Sequence, residues 1–172
     1  MAQQNQDSAG VVIEQTAPQA RFSLRVRPER REALAAVLGL DLPERIGTRA
    51  TAEAGEALCL GPDEWLVIAR DGAALTQTAR AGEIPHSLSD ISDREISLRL
   101  SGPGVLGLLS AGCPRDLASI PPGGGARTLF ESATVVLWRD GETDFRMDIW
   151  RSFTPQVRSI LEQARADIAA GL

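Results

Sequence analysis

One pattern is written twice in this chain. Phe22-Ser23-Leu24-Arg25-Val26 alternates apolar and polar residues, and Ile96-Ser97-Leu98-Arg99-Leu100 repeats it in nearly the same letters 74 residues later. Alternation with a period of two is the signature of a half-buried strand. Each copy is followed by an apolar triplet at i, i+3, i+4: Leu34, Val37 and Leu38 after the first, Val105, Leu108 and Leu109 after the second. That spacing places three side chains on one helix face. Asp41-Leu42-Pro43 comes next in the first half, Asp116-Leu117 and Pro121-Pro122 in the second. Two copies of one unit follow from this, each reading strand, helix, two or three strands, helix.

The rest of the chain fits that plan. Pro28 suits a first helical turn, where a missing N–H costs nothing, and Gly39 a helix stop. Strands are expected over 45–51, 57–60 and 64–69, then over 127–131, 134–138 and 144–150. Asp71 is placed to cap a weak helix over 72–80. The last helix is the clearest: Thr154 as N-cap, Pro155 in the first turn, and a stripe of Val157, Ile160, Leu161, Ala164 and Ile168. The expected class is α+β, with duplicated halves and mainly antiparallel sheets. Residues 1–18 read as a disordered tail, although Val11 to Ile13 offer a possible edge strand. Residues 19–172 read as one domain of two pseudo-repeats, about 20–82 and 83–170.

Composition narrows the function classes. With 172 residues, 43% hydrophobic and 24% charged, the chain can bury about 70% of its unfolded surface, which excludes wholesale disorder. The net charge of −5 argues against a nucleic-acid platform. All 18 basic residues are Arg, a side chain favoured at interfaces for its planar, bidentate contacts. No apolar run is long enough to span a membrane. Cys59, Cys113 and His86 are too few for the usual zinc sites, and two buried thiols fit a reducing cytoplasm. No targeting segment is visible at the N-terminus.

Each candidate motif has a structural reading beside the functional one. Gly102-Pro103-Gly104-Val105-Leu106-Gly107 fits G-x-G-x-x-G between a strand and a helix, the setting of a pyrophosphate-binding turn. Yet the preceding strand carries Ser97 and Arg99, the helix is short, and no acid lies about 20 residues on. Pro121 to Gly125 reads as a surface connection. His86 and the Ser/Asp-rich segment 87–93 lack a nucleophile elbow, and their side chains suit local backbone bonds. Among the acids Asp63, Glu64, Asp90, Asp93, Asp116, Glu131, Asp140, Glu142, Asp144 and Asp148, no general acid and base pair stands out. The expectation is therefore no catalytic, cofactor-binding or metal residue in this chain. Trp138, on a strand apolar on both sides, reads as core. Trp150 lies on the polar face of its strand, beside Arg151. An aromatic beside an Arg there is what an interface anchor looks like; the other reading is that the last helix covers it.

Three blocks carry a family resemblance. They are Leu60-Gly61-Pro62-Asp63-Glu64-Trp65-Leu66-Val67; Asp90-Ile91-Ser92 followed by Leu98 to Pro103 and Leu108 to Leu117 with its Gly112-Cys113-Pro114; and Phe145-Arg146-Met147 to Arg151-Ser152-Phe153. In this order the chain resembles the gamma subunits of heterotetrameric sarcosine oxidases, which in turn look like the folate-binding domain of the glycine-cleavage T-protein, itself a duplication. The resemblance implies a non-catalytic subunit that supports alpha, beta and delta partners. Those partners would hold FAD, FMN, NAD, tetrahydrofolate and zinc, and oxidatively demethylate sarcosine to glycine with hydrogen peroxide. The place of the T-protein carboxylate falls near Ala133-Thr134, where neither residue can act as a base. Two alternatives stay open: a stand-alone folate-binding or one-carbon-transfer protein, and a dinucleotide enzyme using Gly102 to Gly107.

Overall fold

Alternating strands must bury one face, and short amphipathic helices cannot stand alone. The computed structural model, which describes residues 10–171, satisfies both demands twice, in two compact units. The architecture is α+β, as the alternation implies.

The first unit comprises Ala17–Glu95 and Gly123–Ala126. Its elements are β2 (Ala20–Arg25), α1 (Arg31–Leu38), β3 (Arg49–Ala52), β4 (Gly55–Gly61), β5 (Glu64–Ala69), α2 (Gly72–Ala81) and β6 (Ser87–Asp90), with a 3-10 turn at Pro28–Arg30 before α1. The sheet order is β3-β4-β5-β2-β6, and every pairing in it is antiparallel. Phe22, Leu24 and Val26 from β2 and its end, with Trp65 and Val67 from β5, face Leu34 and Leu38 of α1 and Leu75 and Ala79 of α2 in one apolar cluster. Each fully buried Leu contributes about 1.5–3 kcal/mol to this core. Gly39 ends α1 in the left-handed conformation, at φ 62°. Asp71 caps α2, its carboxylate accepting the Ala74 N–H at 2.9 Å.

The second unit comprises the described residues of Met1–Thr16, Ile96–Pro122 and Arg127–Leu172. It contains β1 (Val12–Gln15), most of β7 (Glu95–Ser101), α3 (Val105–Ser110), a 3-10 turn at Leu117–Ser119, most of β8 (Gly125–Phe130), β9 (Ala133–Gly141), β10 (Asp144–Trp150) and α4 (Thr154–Ala170). Its sheet runs β1-β7-β10-β9-β8. Phe145, Met147 and Ile149 are fully buried along one face of β10. Helices α3 and α4 pack against each other, as α1 and α2 do in the first unit.

The two strand orders are the same permutation. Reading β3-β4-β5-β2 against β8-β9-β10-β7 matches each element of the first copy with its successor in the second. The fifth strand shows an exchange. β1 precedes β2 in the chain yet pairs with β7, with Val12 opposite Ser101 and Gln15 opposite Leu98. β6 precedes β7 yet pairs with β2. Each copy of the repeat hands its leading strand to the other copy's sheet.

Several local expectations need revision. Of the expected tail 1–18, residues 1–9 lie outside the described residues, Val11 is buried at 3% exposure, and from Val12 to Gln15 the chain is built into a sheet. The backbone of β7 offers a free edge there, and Val11 supplies an apolar anchor. The strand expected over 45–51 begins only at Arg49, because Arg45 to Thr48 closes a turn, with the Thr48 N–H donating to the Arg45 carbonyl. Gly124 and Gly125, expected in a surface connection, are buried, and Gly124 bridges Thr48. Thr154 is the first residue of α4 rather than its cap: a 3-10 turn over Arg151–Phe153 leads straight into the helix, and the Thr154 hydroxyl donates back to the Trp150 carbonyl at 3.3 Å.

Candidate functional site

The motif residues build turns. At the Gly61-Pro62-Asp63-Glu64 hairpin, Arg25 reaches across from β2 to both acids, at 3.3 Å from Asp63 and 3.0 Å from Glu64. The following Trp65 is 1% exposed, and its Nε1 donates to the Pro43 carbonyl at 2.8 Å. The repeat reproduces the clamp: Arg99 on β7 takes a bidentate grip on Asp144, at 3.1 and 2.7 Å. That carboxylate holds the Arg99 guanidinium above its already high pKa.

The Gly112-Cys113-Pro114 corner is equally structural. A Cβ on Gly112 would stand 2.8 Å from the Phe130 ring, and the Gly112 carbonyl accepts the Glu131 N–H at 2.7 Å. Asp116 caps the following 3-10 turn by accepting the Ala118 N–H. Arg139, buried on β9, donates to the Ile120 carbonyl at 2.8 Å and lies 5.4 Å from the Phe145 ring centroid. Sequence reasoning missed Arg139, although a charge directly after the apolar run Val135 to Trp138 is a signal, since a buried guanidinium must find acceptors.

The Gly102 to Gly107 turn is filled by the chain itself. Gly102 has φ 116°, and a Cβ there would fall 1.6 Å from the Gly10 carbonyl oxygen. Backbone from the N-terminal segment thus packs directly against the first glycine of the motif. Helix α3 has only six residues. The geometry gives the dinucleotide alternative no support.

The acids have structural occupations too. Asp148, 3% exposed, accepts from the Ser97 hydroxyl and from Trp138 Nε1, the latter at 2.7 Å. Trp138 is fully buried, as its two-sided apolar strand implies, and Arg146 lies over its ring at 4.8 Å while pairing with Asp140 at 2.7 Å. Asp90 accepts from Ser92 N and Oγ, and these bonds pull its pKa below the usual carboxylate range. His86 Nδ1 sits 2.6 Å from the Ile84 carbonyl. Ala133 is buried and Thr134 exposed. Among the described residues, no three His, Cys, Asp or Glu side chains converge as a metal site would require.

What remains is a surface. Trp150 is 43% exposed and Phe153 37% exposed, with ring centroids 6.4 Å apart. Arg151 and Ser152 between them are exposed. The 3-10 turn brings Phe153 back beside Trp150, so two aromatics and an Arg share the corner between β10 and α4. The sequence points to Trp150 and Arg151 as the interface pair; Phe153 joins them only because the turn is tight.

Comparison with known proteins identifies the family and the fold. Residues 26–167 match the model of the "Sarcosine oxidase, gamma subunit family". Sarcosine oxidase gamma subunits from Corynebacterium sp. strain P-1 and from an Arthrobacter species are each 36% identical; the first alignment covers 80% of this chain and 70% of that protein, the second 81% and 72%. A chain of the heterotetrameric sarcosine oxidase from Corynebacterium sp. U-96, solved in complex with pyrrole 2-carboxylate, superposes with a TM-score of 0.86 at 29% identity, over 94% of this chain and 87% of that one. The glycine cleavage aminomethyltransferase T of Bartonella henselae shares the fold, with a TM-score of 0.69 at 16% identity, over 96% of this chain and 52% of that one. No helix among the described residues is long and apolar enough to cross a membrane. On these matches the chain belongs to the sarcosine oxidase gamma subunit family.

Proposed function

We propose that this chain is the non-catalytic gamma subunit of a heterotetrameric sarcosine oxidase, working in the cytoplasm. In this reading it supports alpha, beta and delta subunits that hold FAD, FMN, NAD, tetrahydrofolate and zinc. The assembly oxidises the N-methyl group of sarcosine, yielding glycine and hydrogen peroxide, and passes the one-carbon unit to tetrahydrofolate. The observation that carries the proposal is the superposition, over nearly the whole chain, on a subunit of such an enzyme. The motif residues fit it: they close hairpins and corners, which is what a scaffold needs. The corner of Trp150 and Arg151 is the proposed contact with a partner, since exposed aromatics beside an Arg are the usual anchors of an interface.

Co-expression with the alpha, beta and delta chains of the proposed assembly tests this. A tagged copy of the chain should bring down the three other subunits and oxidase activity together. Recovery of the tagged chain alone, with active oxidase in the unbound fraction, would overturn the proposal. So would saturable tetrahydrofolate binding and one-carbon transfer by the isolated chain.

A further inference from the structure

We infer that the connector between the two copies of the repeat, residues 82–86, is a hinge through which two copies of this chain trade their C-terminal halves and form an exchanged dimer. Each half already buries its leading strand in the sheet of the other. β1 belongs to the N-terminal half and pairs with β7; β6 belongs to the C-terminal half and pairs with β2. Both arms carry core residues. Val11, just before β1, is 3% exposed. Ile84 and Leu88 pack against the core of the first unit, with Leu88 opposite Leu24. The N-terminal half of one chain and the C-terminal half of another therefore rebuild both units with every strand pairing intact, and only the connector has to differ. Its closed path is strained. Glu83 has φ 50°, in the left-handed region that is costly for an L side chain other than glycine. Ile84 precedes Pro85, which biases it towards extended backbone, so Glu83 is the residue that bends the chain back. Ala81, Glu83, Pro85 and Ser87 are exposed, and residues 83–86 belong to no helix or strand. A short, strained hinge is what invites exchange between chains: a straight connector removes the left-handed residue and keeps the arms where they pack.

The test unfolds the full chain in urea, refolds it at about 1 mM, where a second copy competes with the tethered half, and sizes the product by gel filtration with light scattering. Glu83→Pro forbids φ 50° but permits a straight connector, so it should refold mainly as a dimer. Glu83→Gly relieves the closed path and should lower the dimer fraction about fivefold or more relative to wild type. An exchanged dimer separates only by unfolding, so it should persist for hours after dilution. For the same reason, two differently tagged chains should co-purify only when they are refolded together. A folded, monomeric Glu83→Pro would overturn the inference. So would equal dimer fractions for wild type and Glu83→Gly, including none in either. A dimer that falls apart promptly on dilution, or takes up the second tag without unfolding, would show a surface contact instead and would also overturn it. If Glu83→Pro does not fold, the comparison of wild type with Glu83→Gly decides.

Discussion

Arg21 and Glu95 occupy the same position in the two copies of the repeat, 74 residues apart, and they are bonded to each other. Arg21 Nη1 donates to the Glu95 carbonyl at 3.2 Å, and Arg21 Nε lies 3.8 Å from Glu95 Oε2. Both side chains are buried, at 2% and 8% exposure. Equivalent positions of the repeat thus carry opposite charges. Desolvation offsets most of the attraction in such a pair, whereas an orphaned partner is costly. Glu95 keeps a second ion pair, with Arg94 at 2.9 Å, so Arg21→Met should destabilise the protein by about 1–3 kcal/mol. Arg21→Met combined with Glu95→Leu should recover most of that loss. Urea unfolding of both single variants and the double variant closes the cycle; strict additivity would show that the pair is not coupled.

The seat of Gly102 makes a second prediction. Its positive φ and the Gly10 carbonyl at 1.6 Å from a would-be Cβ leave no room for a side chain. Gly102→Ala should cost about 3 kcal/mol or more, because both strain and overlap must be relieved. Gly123→Ala is the comparison: it also has positive φ, at 81°, but nothing lies within 4 Å. It should cost about 1–2 kcal/mol from strain alone. Thermal melts of the two variants measure the difference, and equal losses would mean that the Gly10 contact is not tight.

The exchanged strand predicts a third outcome. Deleting residues 1–15 removes β1 and leaves β7 as an unpaired edge, a template for association between chains. The truncated chain should lose stability and form oligomers in light scattering. A stable monomer would show that β1 contributes little to the sheet.

These cases also show what the chain discloses before it is folded. The duplication, the apolar triplets and the β10 strand were legible because burial imposes a period on the letters. Trp138 was legible as core for the same reason. The β1 and β6 exchange was not. Both strands are exposed at three of their four residues, so neither carries a strong period, and alternation cannot say which sheet a strand joins. Ser97, Asp148 and Trp138 lie on three strands of one sheet, and only register brings them together. Phe153 reaches Trp150 through a tight turn that leaves no mark in hydrophobic spacing. The family motifs were visible as letters, but their work of closing hairpins and corners needed coordinates.

Acid should expose the turn at Asp90. Its carboxylate accepts from Ser92 Oγ, at 2.6 Å, and that same oxygen accepts the Arg21 backbone N–H at 2.9 Å. The Ser92 bonds lower the Asp90 pKa in the folded chain. A lowered folded pKa gives stability that is present above the unfolded value, about 3.9, and is lost as pH falls through the folded one. Asp90→Ala should thus be less stable than wild type near neutrality, with the gap closing below about pH 4. A constant gap across pH would mean that the carboxylate charge takes no part.

Cys59 predicts the opposite limb of the pH profile. Burial raises its thiol pKa, and the Gly61 backbone bond and the charge of Arg31 only partly oppose this. The thiol is fully buried and lies 3.2 Å from the Gly61 carbonyl. A raised folded pKa means stability that is complete below the unfolded value, about 8.5, and lost as pH climbs through the folded one. Wild type should therefore weaken relative to Cys59→Ala above about pH 8.5, although the variant starts lower because it loses core volume. Alkylation followed by mass spectrometry gives the second reading. At pH 8 Cys59 should resist iodoacetamide in the native protein and react fully in guanidinium. Fast labelling of the native chain would place a reactive thiolate where the fold has put a buried, protonated sulfur.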